Sequence, residues 1–222
     1  MIEFIDIHTH RTSNEEDTFY IQNIALPTGH LPEKIFVSAG WHPWHIGTFN
    51  LEEIEAALNV FATEKTVLLI GECGFDRTIK TPVEKQAEVM RLHINAALMY
   101  HKPLIIHCVK AYSDLEHLLK TEKFGGKIVL HDFNGNQFQI ERFLKFDSYF
   151  SLGKQLMNPN SNVQKSIMKI PTDRIFLETD ETEYSIKEIY QQTANLLQLN
   201  TAELKRQIRE NFKSLLGTSL FE

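Results

Sequence analysis

The sequence predicts an α/β fold, and two patterns carry that expectation. Short β-branched apolar runs alternate along the chain with longer stretches of helical periodicity. Several of the runs (VLLIG, PLIIH, KIVLH, RIFLE) are hydrophobic without interruption, as parallel strands covered on both faces are. Seven or eight strands alternating with helices leave two architectures, a closed (β/α)8 TIM-type barrel and an open doubly wound sheet.

The strand runs are Glu3–His10, Lys34–Gly40, Thr66–Gly74, Pro103–Cys108, Lys127–Phe133, Ser148–Gly153 and Arg174–Asp180, with a weaker one at Thr18–Leu26. Helix starts are marked between them. Asn50-Leu-Glu-Glu53 offers Asn as a cap. Thr81-Pro-Val-Glu84 combines a capping residue, Pro at the first helical position and Glu at the third, and Ser113-Asp-Leu-Glu116 and Ser185-Ile-Lys-Glu188 are capping boxes. A helix over about 82–101 would place Val83, Ala87, Met90, Ile94 and Leu98 on one stripe.

At 222 residues the chain falls between one domain and two, and it is short beside the ~250 residues of a typical α/β barrel. No internal repeat and no Gly-, Ser- or Pro-rich linker divides it, so a single domain over 1–222 is expected. A composition 42% hydrophobic and 23% charged excludes collagen-like and disordered classes. No apolar stretch approaches the ~20 residues that span a bilayer, so no membrane association is expected. The net charge of -6, with no run of Lys or Arg, argues against coating a duplex and leaves a small anionic substrate or a strand end. Cys73 and Cys108 make no disulfide framework and the N-terminus has no leader pattern; the expected location is cytoplasmic.

The chemistry lies at the strand ends. Asp6, His8 and His10 share one face of the first strand, because side chains alternate. The later runs end in Glu72, His107, His131 and Glu178-Thr-Asp180, so five strands finish in a metal-competent residue. In an α/β barrel such ends form the active face. One strand-end histidine is ordinarily a hydrogen-bonded structural residue. Four imidazoles and two carboxylates at one buried end would be costly unless they ligate metal. Six ligands exceed one tetrahedral site and suit two divalent ions sharing a carboxylate, an arrangement that activates water for hydrolysis.

The motifs Asp6-Ile-His-Thr-His10, Gly40-Trp-His-Pro-Trp44, Ile70-Gly-Glu-Cys-Gly-Phe-Asp76, Leu104-Ile-Ile-His107, His131-Asp-Phe-Asn-Gly135, Glu178-Thr-Asp180 and Asn211-Phe212 span nearly the whole chain. In this order they resemble the TatD family of metal-dependent hydrolases, in the amidohydrolase-type barrel superfamily. The resemblance implies a first metal on His8, His10 and Asp180, a bridging Glu72, and a second ion on His107 and His131. It makes Asp180 and Glu72 the catalytic carboxylates, Asp180 orienting or deprotonating the attacking water. It also implies a deoxyribonuclease, often exonucleolytic, acting on phosphodiesters such as single-stranded DNA ends. The chain departs from the family pattern at three places. Val109 and Lys110 stand where an Arg is usual, the loop Glu181–Ser185 is short, and the segment between His10 and Gly40 lacks room for the first barrel helix.

Imidazole and carboxylate ligands suit Zn, Mn, Fe or Ni, while Mg prefers a more oxygen-rich shell. His42, Arg77 and Lys110 are candidate substrate contacts, and Lys154 could also reach a phosphate, although a solvated surface charge is the ordinary role for each cation. Trp41 and Trp44 divide between packing and stacking on bases. Asp6 reads as a partner that orients a ligand, and Asp76 as a support or cap. Cys73, Cys108, His30, His45, His93, His101 and His117 read as structural. A monomer is expected. The alternative function is an ester or amide hydrolase acting on a small non-nucleic substrate, and a non-catalytic binding protein comes after it.

Overall fold

The computed structural model describes residues 2–27, 31–48 and 50–217. Among them the strands are β1 (Phe4–Thr9), β2 (Thr18–Ala25), β3 (Val37–Gly40), β4 (Val67–Asp76), β5 (Leu104–Val109), β6 (Ile128–Leu130), β7 (Ser148–Leu152) and β8 (Ile175–Leu177). They neighbour one another in chain order in a single eight-stranded sheet. The pairs β1–β2, β3–β4, β4–β5, β5–β6 and β7–β8 run parallel. A doubly wound sheet would reverse its order at a switch point; strict chain order is that of the (β/α)8 barrel, which settles the choice between the two architectures.

The helices are α1 (Leu51–Ala62), α2 (Val83–Tyr100), α3 (Tyr112–Thr121), α4 (Gln137–Phe143), α5 (Asn162–Ser166), α6 (Ile186–Leu197) and α7 (Thr201–Leu216). Among the described residues no helix connects β1 to β2 or β2 to β3, so the shortening falls near the N-terminus as the sequence predicts. The chain divides into two compact units, Met1–Gln22 with His131–Glu222, and Asn23–Leu130.

In the first unit β1 is buried along its whole length. It meets β8 through a parallel bridge, Thr9 to Asp180. Deeper along β1 the hydroxyl of Tyr190 on α6 replaces a strand partner, accepting from Ile5 N–H at 3.1 Å and donating to Ile5 C=O at 3.2 Å. Capping boxes at Ser185 and Asn200 start α6 and α7. Asn211 ties α7 to the start of β8, its side-chain amide donating to Thr172 O and Ile175 O, each at 2.8 Å.

In the second unit β4 packs tightly on β5. Gly71 and Gly74 have φ of +130° and +137°, and a Cβ on either would run into the backbone oxygen of Ile105 or His107. The Asn50 cap is present as a full box. Two other expected caps are not made. At α2 the cap position is Pro82 with no side-chain bond, because Gln86 anchors the turn by donating to Thr81 O and Asp76 O. At α3 the helix starts earlier, from Ala111; Glu116 pairs with Lys120 at 2.6 Å. The buried face of α2 also differs from the expected stripe. Gln86, Val89, Met90, His93, Ile94, Ala96 and Ala97 are inside, while Leu98 is exposed. The polar Gln86 and His93 take core positions because each has its hydrogen bonds met.

Tyr190→Phe removes the hydroxyl and leaves both backbone polar atoms of buried Ile5 without that partner. It is expected to lower unfolding stability by about 1–3 kcal/mol, read as a fall in urea midpoint at constant slope. An unchanged midpoint would show that the hydroxyl does not complete β1.

Candidate active site

In the first unit His8, His131 and Asp180 each present a ligand atom, all within 4.8 Å of one another. The backbone places them. Asp180 N–H donates to His8 O at 3.0 Å and His10 N–H to Asp180 O at 3.3 Å. The carboxylate divides its two oxygens. Oδ1 lies 3.6 Å from His8 Nε2 and 3.4 Å from His10 Nε2, while Oδ2 accepts from Lys154 Nζ at 2.9 Å. Burial alone would raise the Asp180 carboxyl, but the neighbouring imidazoles of His10 and His8 hold it well below the usual carboxylate range. It is anionic throughout neutral pH.

Three further carboxylates support this group. Asp6 accepts from Thr179 N at 3.0 Å and Thr179 Oγ1 at 2.7 Å; burial pushes its own carboxyl up to about 7, against the pull of those two bonds. It therefore acts on the ligands through the backbone, holding the residue before Asp180. Glu178 is fully buried; its Oε1 accepts from Asp132 N at 2.6 Å and lies 3.4 Å from His131 Nδ1. Burial, then the charge of Glu178, raises Asp132. Lys154 Nζ is 3.4 Å from Asp132 Oδ2, so one ammonium serves two aspartates.

In the second unit the grouped residues are His42, Glu72 and His107. Glu72 Oε1 lies 3.0 Å from His107 Nδ1 and 3.1 Å from His42 Nε2. Glu72 Oε2 accepts from Asn23 Nδ2 at 3.2 Å, and Asn23 Oδ1 accepts from Glu72 N and Ser38 Oγ. His42 Nδ1 accepts from Trp44 N–H at 3.2 Å, which leaves Nε2 turned to Glu72. Asp76 Oδ2 lies 3.5 Å from His107 Nε2 and accepts from Trp44 Nε1 at 2.7 Å. Burial would raise Asp76, but Thr78 and Trp44 donate to it and hold it below the usual range.

Each group joins two imidazoles to one carboxylate, a donor set that fits Zn, Mn, Fe or Ni. His131 stands with His8 and Asp180, with His10 beside them; His107 stands with Glu72 and with His42. Arg77 is held in a two-point pair with Asp114 at 2.6 and 2.7 Å. Lys110 is exposed, with φ of +53°. Lys154, read from sequence as a surface charge, is bound into the site, and Asn23 and Glu178 are further supports. Asn23 sits in the weakest strand run, and Glu178, two residues before Asp180, shares its face by alternation, the signal that could have found it. Burial raises both thiols, so Cys73 and Cys108 are poor nucleophiles. His30 lies outside the described residues.

A chain-ordered parallel sheet with imidazole and carboxylate groups at its strand ends is the framework of barrel-type metal-dependent hydrolases. A family model described as TatD related DNase matches residues 12–217, and the chain belongs to that family. Metal-dependent hydrolase YabD of Bacillus subtilis (strain 168) is 31% identical over 200 residues, which is 82% of this chain and 77% of YabD. The 3'-5' ssDNA/RNA exonuclease TatD of Cronobacter turicensis is 33% identical over 150 residues, 64% of this chain and 56% of that protein. The chain thus spans little more than half of the exonuclease's length. Among solved structures, the TatD homolog YJJV of Escherichia coli k12 superposes with a TM-score of 0.82 at 19% identity, covering 97% of this chain and 98% of that one. This likeness shows the shared barrel fold. Among the described residues no helix is long and apolar enough to cross a membrane.

The frame behind His42 depends on a neutral histidine. His93 is fully buried; its Nε2 accepts from Trp41 N–H and its Nδ1 faces Val89 O, both at 2.9 Å. Burial lowers its pKa to about 4, against the hydrogen bond to Val89. The unfolded chain therefore binds the extra proton first, and stability falls as pH drops from about 6.5 towards about 4. This contribution is expected to cost about 2–3 kcal/mol between about pH 7 and about pH 4.5. Urea unfolding at both values, beside His93→Leu, checks it: the wild type should lose more stability than the variant over this interval, and parallel losses would contradict the assignment.

Proposed function

We propose that this chain is a divalent-metal-dependent phosphodiesterase that trims the ends of single-stranded nucleic acid. The observation that carries the reading is the pair of imidazole–carboxylate groups, His8/His131/Asp180 and His42/Glu72/His107. The substrate class is supported by the Cronobacter turicensis relative, whose name gives ssDNA and RNA. Bound divalent metal would supply Lewis acidity toward a phosphoryl oxygen and toward water.

The protein residues do the positioning. Asp180 stays anionic and offers Oδ1 to the reacting side, with its plane fixed by Lys154 on Oδ2. In this reading it orients the attacking water and accepts its hydrogen bond. Glu72 holds His42 and His107 with one oxygen while Asn23 secures the other. Buried Glu178 keeps His131 in place. Lys154 supplies a cation in a chain of net charge -6, where an anionic substrate otherwise meets repulsion.

The test is a panel of single-stranded DNA, single-stranded RNA and carboxylic esters, assayed with Mn, Zn, Ni or Mg after chelation. Phosphodiester cleavage that chelation abolishes and metal restores is expected. Asp180→Asn should lower kcat by at least ~100-fold, the lower range for a positioned acid or base. Hydrolysis of carboxylic esters with no phosphodiester cleavage under any metal would replace this reading by the ester or amide hydrolase. Cleavage unaffected by Asp180→Asn would remove Asp180 from the mechanism.

A further inference from the structure

The two tryptophans of Gly40-Trp-His-Pro-Trp44 have opposite environments. Trp41 is 1% exposed and packs in the core, whereas Trp44 is 61% exposed. Exposure of so large a ring ordinarily goes with mobility, but Trp44 is tied at both ends. Its backbone N–H donates to His42 Nδ1, and its indole Nε1 donates to Asp76 Oδ2 at 2.7 Å. The ring stands edge-on to His42, with centroids 5.0 Å apart and planes at 89°, and lies 6.3 Å from the ring of His107. An aromatic surface is thereby fixed beside the two imidazoles grouped with Glu72.

Its chemistry restricts what it can hold. The indole has one donor, and Asp76 takes it. What remains for a ligand is a π surface with no hydrogen bond to give. Such a surface recognises a planar ring by stacking, with little preference among rings, which is how sequence-tolerant single-strand binders hold bases. A sugar hydroxyl or a peptide amide would find only a weak contact with its face and no conventional hydrogen-bond partner.

We propose that Trp44 is a stacking platform for a nucleobase next to the scissile phosphodiester. This deepens the nuclease reading and rests on it. Asp76 is then a positioning residue: it fixes the ring through the indole N–H.

The test uses the full chain with Trp44→Phe, which keeps a ring but loses the N–H, and Trp44→Leu, which loses both. In excess chelator, deoxyadenosine 5'-monophosphate is expected to quench the tryptophan emission of the wild type and leave that of Trp44→Phe, where only buried Trp41 emits, unchanged. Deoxyribose 5-phosphate should quench neither. With metal restored, Trp44→Leu should raise KM for a single-stranded oligonucleotide by roughly 5- to 100-fold, the equivalent of ~1–3 kcal/mol of stacking at 1.4 kcal/mol per tenfold. Trp44→Phe should recover part of that loss, since its ring is kept but its tie to Asp76 is gone, and an oligonucleotide abasic at its terminal positions should show no difference between wild type and Trp44→Leu. Equal damage from Phe and Leu, or quenching by the sugar phosphate alone, would overturn the proposal. Cleavage of oligonucleotides with neither quenching nor a KM effect would reject the platform and leave the nuclease reading standing. Quenching confined to Trp44, without cleavage of any phosphodiester, would support the platform and reject the nuclease reading.

Discussion

Asp180 is bound by its own backbone on both sides of the step from His8 to His10, and the chemistry of the first unit depends on that ladder. Asp180 N–H reaches His8 O, and His10 N–H reaches Asp180 O. A one-residue slip would turn every side chain of the strand to its other face, taking His8 and His10 away from the carboxylate together. Asp6 secures the register from below by gripping Thr179 through backbone and hydroxyl, and Tyr190 completes the hydrogen bonding of Ile5. The last helix depends on the same edge, since Asn211 fastens α7 to the first residue of β8.

The second unit solves the placement differently. Gly71 and Gly74 let β4 approach β5 more closely than any side chain would allow, and Glu72 between them meets His107 on the neighbouring strand. Both groups then face the same difficulty, that buried carboxylates are costly unless surrounded by donors. Asn23 and two imidazoles surround Glu72; Thr78 and Trp44 serve Asp76; Lys154 and two imidazoles serve Asp180. The supports are thus polar side chains spread along the sequence.

That spread explains what the sequence discloses. Strands buried on both faces announce themselves by uninterrupted apolar runs, and all eight runs correspond to observed strands, although β6 and β8 are trimmed to three residues each. Strand-end His, Asp and Glu are legible because alternation fixes their common side. The supports are less so. Lys154 is one lysine among 23 basic residues, and nothing local marks it as the partner of Asp180. Asn23 lies in a strand whose exposure pattern is mixed. Capping boxes at Thr81 and Ser113 mislead because Gln86 and the earlier turn at Ala111 set those helix starts, and tertiary anchoring of this kind has no local signature.

In the proposed mechanism His131, beside His8 and Asp180, and His107, beside His42 and Glu72, each ligate a metal ion. Equilibrium dialysis against Zn or Mn, followed by elemental analysis, tests it directly in the wild type, His131→Ala and His107→Ala. About two ions per chain are expected in the wild type, as a two-metal hydrolase requires, with a loss of about one in each variant. Retention of a full complement by either variant, or a wild type that holds no metal, would contradict it.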